Sequence, residues 1–380
     1  HCGICAFKPT AQRLTLTWED GRTLRSKEGD YGIIPTAGPM AKSVEDIVEV
    51  LDVLWTEHLF RLGHDVPPMP LNRNILEEKR PLRIGWYIDE LSYPTPCCPS
   101  TVRAVEMARK ALEAAGHTLI PFKAVQEKVC SPSQIWGLDK RMMLLDNSGG
   151  KPVDPEQALK ELTEKIGNLG IKGERIHPDI VAQYGLNADL RAVEESDRIF
   201  PQANTPAAYQ EVIGKRDRFR DAFWRYWRSL ELDVLLCPAW PWPAPPIEAV
   251  AKTAHTMRTL TKEEGSILAA RVFNILDCPA GVVPVTNVTA EDIAQPWEPS
   301  TCDKAMVEGA KSAVANSLGL PVGVQLAAPP WREELCLRAM LEVQRCLPFD
   351  TAQHANLSPV PRRSPDLGQR PEEITVTSKL

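Results

Sequence analysis

The 380-residue sequence predicts an α/β protein, and two patterns carry this prediction. The first is a β-α-β unit between residues 82 and 122, in which one amphipathic helix separates two apolar, strand-like stretches. The second is a group of three short apolar runs in the second half of the chain, each closed by proline or glycine, as is typical of buried strands. Apolar residues make up 43% of the chain and charged residues 25%, so a large core can form.

The β-α-β unit begins with the strand LRIGWYI at residues 82–88. The helix STVRAVEMARKALEAAG follows, with Ser100 as its predicted N-cap and Gly116 as its predicted stop. The next strand, HTLIPF, covers residues 117–122. Two strands that are joined by a single helix favour a parallel pair in one sheet.

Three further helices are predicted from the spacing of apolar residues. One runs from Ser43 to Phe60, and Ser43 with Asp46 three residues later forms a pattern that resembles a capping box. A long helix starts at Pro206 and ends near Leu230, and its many aromatic residues are interpreted as core. The last predicted helix covers residues 331–347.

The three buried-strand runs are LDVLLCPAW at 232–240, CPAGVVPVT at 278–286 and GLPVGVQLAAP at 319–329. Each is short and nearly continuous in apolar residues, which indicates a strand that is covered on both faces. Residues 349–380 are polar and rich in proline, which predicts a mobile tail after a domain that spans residues 1–348.

Composition argues against several classes of function. The formal net charge of −6 gives no basic signature for nucleic-acid binding. No stretch reaches the roughly 18 consecutive apolar residues that a membrane span needs. The 10 cysteines follow no repeating spacing, so reduced and mostly buried thiols are expected, not a disulfide framework.

The first cysteines, Cys2 and Cys5, form a C-x-x-C pair that could be structural, metal-binding or redox-active. A zinc site needs four ligands, and the next candidates, Cys97 and Cys98, are adjacent to each other and far along the chain. A redox pair normally opens a helix, whereas Lys-Pro-Thr at residues 8–10 does not favour one. Structural cysteines are therefore the favoured interpretation.

No catalytic motif stands alone in the sequence. It contains no G-x-S-x-G elbow, H-E-x-x-H, G-x-G-x-x-G or P-loop. The seven histidines are dispersed, and His58 and His117 are interpreted as structural residues. Glu333 and Glu334 are interpreted as solvated carboxylates at a helix start, where negative charge suits the helix dipole.

Several blocks of the sequence resemble the amidase signature family. CGICAFKPT at residues 2–10 resembles the family pattern CG-x-x-G-[LF]-KPT, which follows the nucleophile, and GPMAKSVEDI at 38–47 resembles the next block. RPLRIGWY, LEAAGHTLIPF, LDVLLCPA, LDCPAGVVPVTNVTAEDIAQ, LGLPVGVQLAAPPW and EELCLRAMLEVQ occur in the same order as in the family. Together these blocks cover most of residues 1–347.

The resemblance implies a mixed, largely parallel sheet flanked by helices, incomplete at its N-terminus. It implies hydrolysis of fatty acid amides, or related lipid amides, through an acyl-enzyme formed on a serine, with a bridging serine, a lysine and no metal or cofactor. In the family these three residues precede the CGIC block, so here they are expected upstream of His1. The chain is therefore expected to be a fragment without the triad and inactive alone, and no catalytic residue is assigned in it.

The resemblance also indicates candidate substrate contacts. GSILAARVFNILD at residues 265–277 matches the segment that lines the substrate channel in the family, which makes Ile267 and Arg271 candidates. A cation is costly beside a lipid tail, so Arg271 argues against a long acyl chain. The alternative is that both are ordinary helix residues.

Two alternatives to a fatty acid amidase remain open: a general short-chain amidase of the same family, and a non-catalytic paralogue that binds a lipid or a partner. A lipid amide is the expected small-molecule partner, nucleic acid is not expected, and a homodimer is left open. The stretch 188–206 is short and acidic, so weak or no membrane docking is expected there. The last residues, Ser378, Lys379 and Leu380, match the peroxisomal address, with the cytosol or an intracellular membrane surface as alternatives.

Overall fold

A computed structural model describes residues 2–14, 34, 36–62, 66–91, 96–129, 206–244, 268–298 and 304–349. The strands in this part are β1 Cys5–Lys8, β2 Met40–Ala41, β3 Arg83–Trp86, β4 Thr118–Pro121, β5 Val234–Pro238, β6 Ala280–Asn287 and β7 Pro321–Ala327. The helices are α1 Val44–Leu54, α2 Glu57–Leu62, α3 Arg73–Glu77, α4 Pro99–Ala114, α5 Pro206–Ser229, α6 Leu268–Ile275, α7 Ala290–Ala294, α8 Lys304–Ala315 and α9 Glu333–Cys346.

The described strands form one seven-stranded sheet in the order β2-β1-β6-β7-β5-β3-β4. Strand β3 pairs in parallel with β4, so the parallel pair predicted for the β-α-β unit is confirmed, and β3 also pairs in parallel with β5. The other four neighbouring pairs are antiparallel, because β1 and β7 run against the remaining strands. The predicted mixed α/β sheet is confirmed, but parallel pairing is limited to one side of it.

Both faces of the sheet are covered by helices. Helices α1, α4 and α9 pack on one face, and α5 and α6 pack on the other. All five residues of β5 are buried, as expected from its continuous apolar run. The described aromatic residues of α5, from Phe219 to Trp227, lie in the core or pack against it as predicted, and the ring of Phe223 lies 5.4 Å from that of Phe122. Burial of each such ring contributes roughly 1.5–3 kcal/mol.

The prediction of one helix from Ser43 to Phe60 is wrong in one respect, because the structure has two helices there, α1 and α2. The Ser43 hydroxyl does accept a hydrogen bond of 3.1 Å from the Asp46 N–H, which confirms the predicted cap. The chain then leaves the helical conformation at Trp55, between α1 and α2. This break lets the Trp55 ring pack in the core, where the guanidinium of Arg13 lies 3.8 Å from its centre.

The predicted start of α4 is also wrong. Cys98 takes the N-cap position and Pro99 is the first helical residue, so Ser100 lies inside the helix. Proline is well suited to this place because its fixed φ is helical and its missing N–H would have had no partner. The predicted stop at Gly116 is confirmed: its φ is +94°, and its N–H bonds to the carbonyl of Glu113.

His117 has a structural role, as predicted. It is buried, and its Nδ1 accepts a hydrogen bond of 3.0 Å from the N–H of Leu82, just before β3. Burial lowers the pKa of His117, and the positive charges of Arg338 and Arg345 lower this pKa further. The carboxylate of Glu342 lies 3.7 Å from Nε2.

In the ranges that the structure describes, no helix is both long and apolar enough to cross a bilayer. The predicted tail at residues 349–380 lies outside these ranges apart from its first residue.

We expect His117 to make stability dependent on pH. Its pKa in the folded state lies below the ordinary value of 6.5, so its contribution is complete above that value and is lost as the pH falls through the folded pKa. His117→Asn keeps an oxygen that can accept from the Leu82 N–H but does not titrate. Urea unfolding at about pH 7.5 and about pH 5 should show a smaller loss of unfolding free energy in the variant. Equal losses in both proteins would contradict this role.

Candidate functional site

The candidate site is built around β1, which carries the CGICAFKPT block. This strand lies between β2 and β6, with Ala6 opposite Val282, so it is an interior strand of the sheet. Its side chains alternate: Cys5 and Phe7 are buried under α1 and α9, whereas Lys8 lies on the other face and is partly exposed. The position of β1 is therefore fixed by pairing on both edges and by packing on one face.

The two blocks that carry the family resemblance meet along this strand. The Phe7 N–H donates a hydrogen bond of 3.0 Å to the carbonyl of Pro39. A Cβ atom at Gly38 would lie 1.9 Å from the carbonyl oxygen of Phe7, so only glycine allows the two backbones to approach this closely. The GPMAKSVEDI block thus continues the sheet from β1 and leads directly into α1.

A turn of four residues, Thr10–Arg13, follows β1, and we call it the anchor turn. The Arg13 N–H closes it by bonding to the carbonyl of Thr10. The Thr10 N–H donates to Oε1 of Glu333 at 3.0 Å, and the Thr10 hydroxyl accepts from the N–H of Trp331 at 2.9 Å. The Ala11 N–H donates to Oδ1 of Asp277 at 2.9 Å. Residues far along the chain therefore hold this turn.

Arg13 is a fully buried cation at the end of the anchor turn. Its Nε lies 3.4 Å from a carboxylate oxygen of Glu333, and its Nη1 donates to the carbonyl of Met69 at 2.6 Å. Its guanidinium also lies over the face of Trp55, which is a favourable cation–π arrangement. Burial lowers the pKa of Arg13, and the carboxylates of Glu333 and Glu334 oppose that shift.

The interpretation of Glu333 and Glu334 as solvated is wrong. Both are buried at the start of α9. Glu333 binds the anchor turn, and Oε1 of Glu334 accepts from the N–H of Asn72 at 3.0 Å. The helix start faces two loops whose backbone N–H groups need acceptors, and carboxylates meet that need better than water could in the interior. The sequence around residue 333 gives no sign of this burial, because Arg13, the cation that faces Glu333, is distant in the chain.

The buried thiols are poor candidates for a nucleophile. Burial raises the pKa of Cys237 and of Cys278 to about 12, and burial with Glu45 and Asp46 raises that of Cys5 to about 11. A thiol in such a state carries almost no thiolate, the reactive form, near neutral pH. Cys5 is thus a structural residue as predicted. Across the described ranges no group of three or more His, Cys, Asp or Glu could hold a metal ion.

The structure does not describe the side chains of the two candidate substrate contacts, Ile267 and Arg271. Ile267 lies outside the described residues, and Arg271 lies in α6 but its side chain is outside what the structure describes. The stretch 188–206 and the terminal residues 378–380 also lie outside, apart from the first residue of α5. The structure therefore does not bring the predicted site residues together, but it does place the end of α6 against the anchor turn through Asp277.

The structure also does not test the expectation that the catalytic groups precede His1 in the chain. His1, upstream of which the lysine and the two serines are expected, lies outside the described residues. The described chain begins at Cys2 and enters β1 through Gly3, whose φ of +66° is a conformation that glycine adopts readily. The expectation that the catalytic groups precede His1 therefore stays a prediction.

A model of the Amidase family matches residues 1–337. This chain belongs to the Amidase family. The matched range includes β1, the anchor turn and its partners Asp277, Trp331 and Glu333. The contacts of Arg13 and of the anchor turn therefore lie within the matched residues.

Relatives of this Amidase-family chain include fatty acid amide hydrolases. It is 34% identical over 359 residues to fatty-acid amide hydrolase 1 of Sus scrofa, covering 91% of this chain and 56% of the relative. It is 32% identical over 315 residues to fatty acid amide hydrolase 1 of Caenorhabditis elegans, covering 81% and 50%. The chain spans about half the length of these curated relatives.

The fold comparison agrees with the family. The solved structure of a fatty acid amide hydrolase superposes with a TM-score of 0.60 at 19% identity, covering 92% of this Amidase-family chain and 54% of the other. At this level of identity the likeness concerns the fold, which is the amidase signature α/β fold predicted from the sequence blocks.

We expect Glu333→Gln to destabilise the protein strongly. The change removes the carboxylate that lies 3.4 Å from the buried Arg13 guanidinium, which should lower the free energy of unfolding by about 3–5 kcal/mol in chemical denaturation. Glu57→Gln is the matched control, since it breaks the exposed pair with Arg61 and should cost less than about 0.5 kcal/mol. If the two variants lose similar amounts, the buried pair is not the constraint described here.

We expect the thiols of the native protein to differ in reactivity. Iodoacetamide at about pH 8 should modify the exposed Cys2 and leave Cys237 and Cys278 unmodified, because burial keeps the latter two protonated. Peptide mass spectrometry measures each site separately. The same reaction in urea is the control and should modify all three. Modification of Cys237 in the native state at the rate of Cys2 would refute the assignment.

Proposed function

We propose that the protein is a serine amidase that hydrolyses fatty acid amides, or related lipid amides, to an acid and an amine. The observation that carries this proposal is the 34% identity to the Sus scrofa fatty-acid amide hydrolase 1, which extends over 91% of this chain. The Caenorhabditis elegans relative of the same name supports it independently.

The proposed mechanism is acyl transfer in two steps. A lysine, acting through a bridging serine, deprotonates the nucleophilic serine, which attacks the amide carbonyl and releases the amine. Backbone N–H groups stabilise the tetrahedral oxyanion, and water then hydrolyses the acyl-enzyme. None of these groups is assigned to a residue of this sequence, so the 380 residues alone are proposed to have no turnover.

The contribution of the described residues is positional. In the resembling family the nucleophile segment leads into the CGIC block, so the placement of β1 sets the placement of that segment. The pairing of β1 with β2 and β6 and the hold of Glu333 on the anchor turn restrict its movement. Such rigidity supports catalysis, because a displacement of about 1 Å at the reacting atoms can cost about a hundredfold in rate.

The substrate side of the proposal concerns residues 265–277. We propose that Ile267 and Arg271 line one side of the acyl pocket, as their match to the family's channel segment implies. The end of this stretch is tied to the anchor turn by Asp277, which would keep the pocket wall at a fixed distance from β1. Arg271 is the one residue of this stretch that argues against a long acyl chain, because a cation is costly beside a hydrocarbon tail, and the test below therefore compares a long-chain amide with a short one.

Hydrolysis by the full-length natural protein tests this proposal. We expect its kcat/KM for a long-chain primary amide to exceed that for acetamide by about tenfold or more, since each buried methylene adds binding energy. Product formation is measured by release of ammonia. A preference for acetamide would establish the short-chain alternative, and the lack of hydrolysis of either amide would support the non-catalytic alternative.

A fluorophosphonate probe tests the statement about the 380 residues alone. We expect no stoichiometric labelling of this chain, whereas the full-length natural protein should be labelled on one serine. Labelling is measured by intact-protein mass spectrometry. Stoichiometric labelling of the 380 residues that disappears on mutation of a single serine would overturn the expectation.

A further inference from the structure

Left-handed backbone conformations cluster at the anchor turn. Five residues other than glycine have positive φ in the described ranges: Gln12, Lys128, Glu231, Asp277 and Trp331. Three of these five residues are at the anchor turn. Gln12 belongs to the turn itself, Asp277 accepts a hydrogen bond from Ala11, and Trp331 donates one to Thr10. Such conformations are unfavourable for residues with a Cβ atom. They persist where surrounding contacts stabilise them, and they are concentrated at functional sites.

Asp277 ends α6 in a position that glycine usually occupies. Its φ is 52°, its N–H bonds to the carbonyl of Asn274, and the N–H of Cys278 bonds to the carbonyl of Phe273. These two bonds define a Schellman motif, in which glycine avoids the steric cost of the left-handed residue. An aspartate here is explained if its side chain contributes something that glycine cannot.

The side chain of Asp277 joins α6 to the anchor turn. Its Oδ1 accepts the 2.9 Å hydrogen bond from the N–H of Ala11, three residues after β1 ends. Strand β6 begins at Ala280 and pairs with Lys8 of β1, so Asp277 lies where α6, β6 and β1 meet. Arg220 of α5 holds the same helix end, since its Nε donates to the carbonyl of Ile275.

The end of α5 provides an internal comparison. Glu231 has a φ of 53° and closes the same motif, with its N–H on the carbonyl of Arg228 and the N–H of Leu232 on that of Trp227. Its carboxylate is 78% exposed and lies 3.8 Å from the guanidinium of Arg83. Glu231 therefore shares the backbone conformation of Asp277, but among the described residues its carboxylate has no hydrogen bond to β1 or to the anchor turn.

We propose that Asp277 is a positioning residue that fixes α6 relative to β1. The inference rests on the proposed function, in which α6 forms one wall of the acyl pocket and β1 continues from the nucleophile segment. Loss of the carboxylate would let the pocket wall move away from the reacting centre. A long acyl chain would then bind less well, while a short amide, which does not reach this wall, would be unaffected.

Three variants of the full-length natural protein test this role. Asp277→Gly removes the carboxylate but gives the backbone its preferred residue, so the melting temperature should stay close to that of the natural protein. We expect its KM for the long-chain amide to rise at least about fivefold, with kcat and the KM for acetamide unchanged. Asp277→Asn keeps an acceptor oxygen and should restore the KM to within about twofold, and Glu231→Gly should change neither constant.

Hydrogen exchange gives a readout that does not depend on turnover. Peptides containing Ala11 and α6 should exchange faster in Asp277→Gly than in Glu231→Gly. An unchanged long-chain KM in Asp277→Gly, equal losses on both amides, or a failure to fold would show a merely structural residue and overturn the inference. A natural protein that hydrolyses neither amide would defeat the proposed function, and this inference with it.

Discussion

The buried guanidinium of Arg13 is the constraint on which the arrangement around β1 depends. A cation removed from water loses several kcal/mol of hydration, and its surroundings must replace that loss. The replacement comes from the carboxylate of Glu333, the carbonyl of Met69 and the ring face of Trp55. These partners come from α9, from the connector before α3 and from the end of α1, so three separate segments must converge on one point.

The same convergence explains why carboxylates occupy the first turn of α9. A helix N-terminus favours negative charge through its dipole, and the loops opposite present backbone N–H groups that need strong acceptors. Glu333 and Glu334 meet both conditions at once. The helix dipole and the buried cation therefore both favour an acidic residue at this position. The two stabilising effects act together.

Much of the fold could be predicted from the sequence because local patterns determine it. The buried strands β5, β6 and β7 follow from short apolar runs, and the parallel pair β3–β4 follows from the helix between them. The break at Trp55 was not predicted, and the contact of its ring with Arg13 joins residues that are distant in sequence. The burial of Glu333 was missed for the same reason, because solvated and buried helix starts have the same local sequence.

The candidate site was less predictable than the fold. The family blocks include β1, but they attach chemistry to residues that precede the block, and apolar periodicity contains no information about hydrogen bonds between distant loops. The contact between Asp277 and Ala11 joins two segments far apart in the chain. The one sign of this contact in the sequence is an aspartate at a helix end where glycine is usual. That sign can be recognised only after the end of the helix is known.

The pairing of β1 with β6 has a consequence for biosynthesis. Ala6 pairs with Val282, so the motif strand leaves the ribosome long before its partner exists. At ordinary rates of translation, the roughly 270 intervening residues take on the order of tens of seconds to appear. Throughout that delay one edge of β1 lacks its partner strand, and an unpaired strand edge in an incompletely folded chain is prone to aggregation.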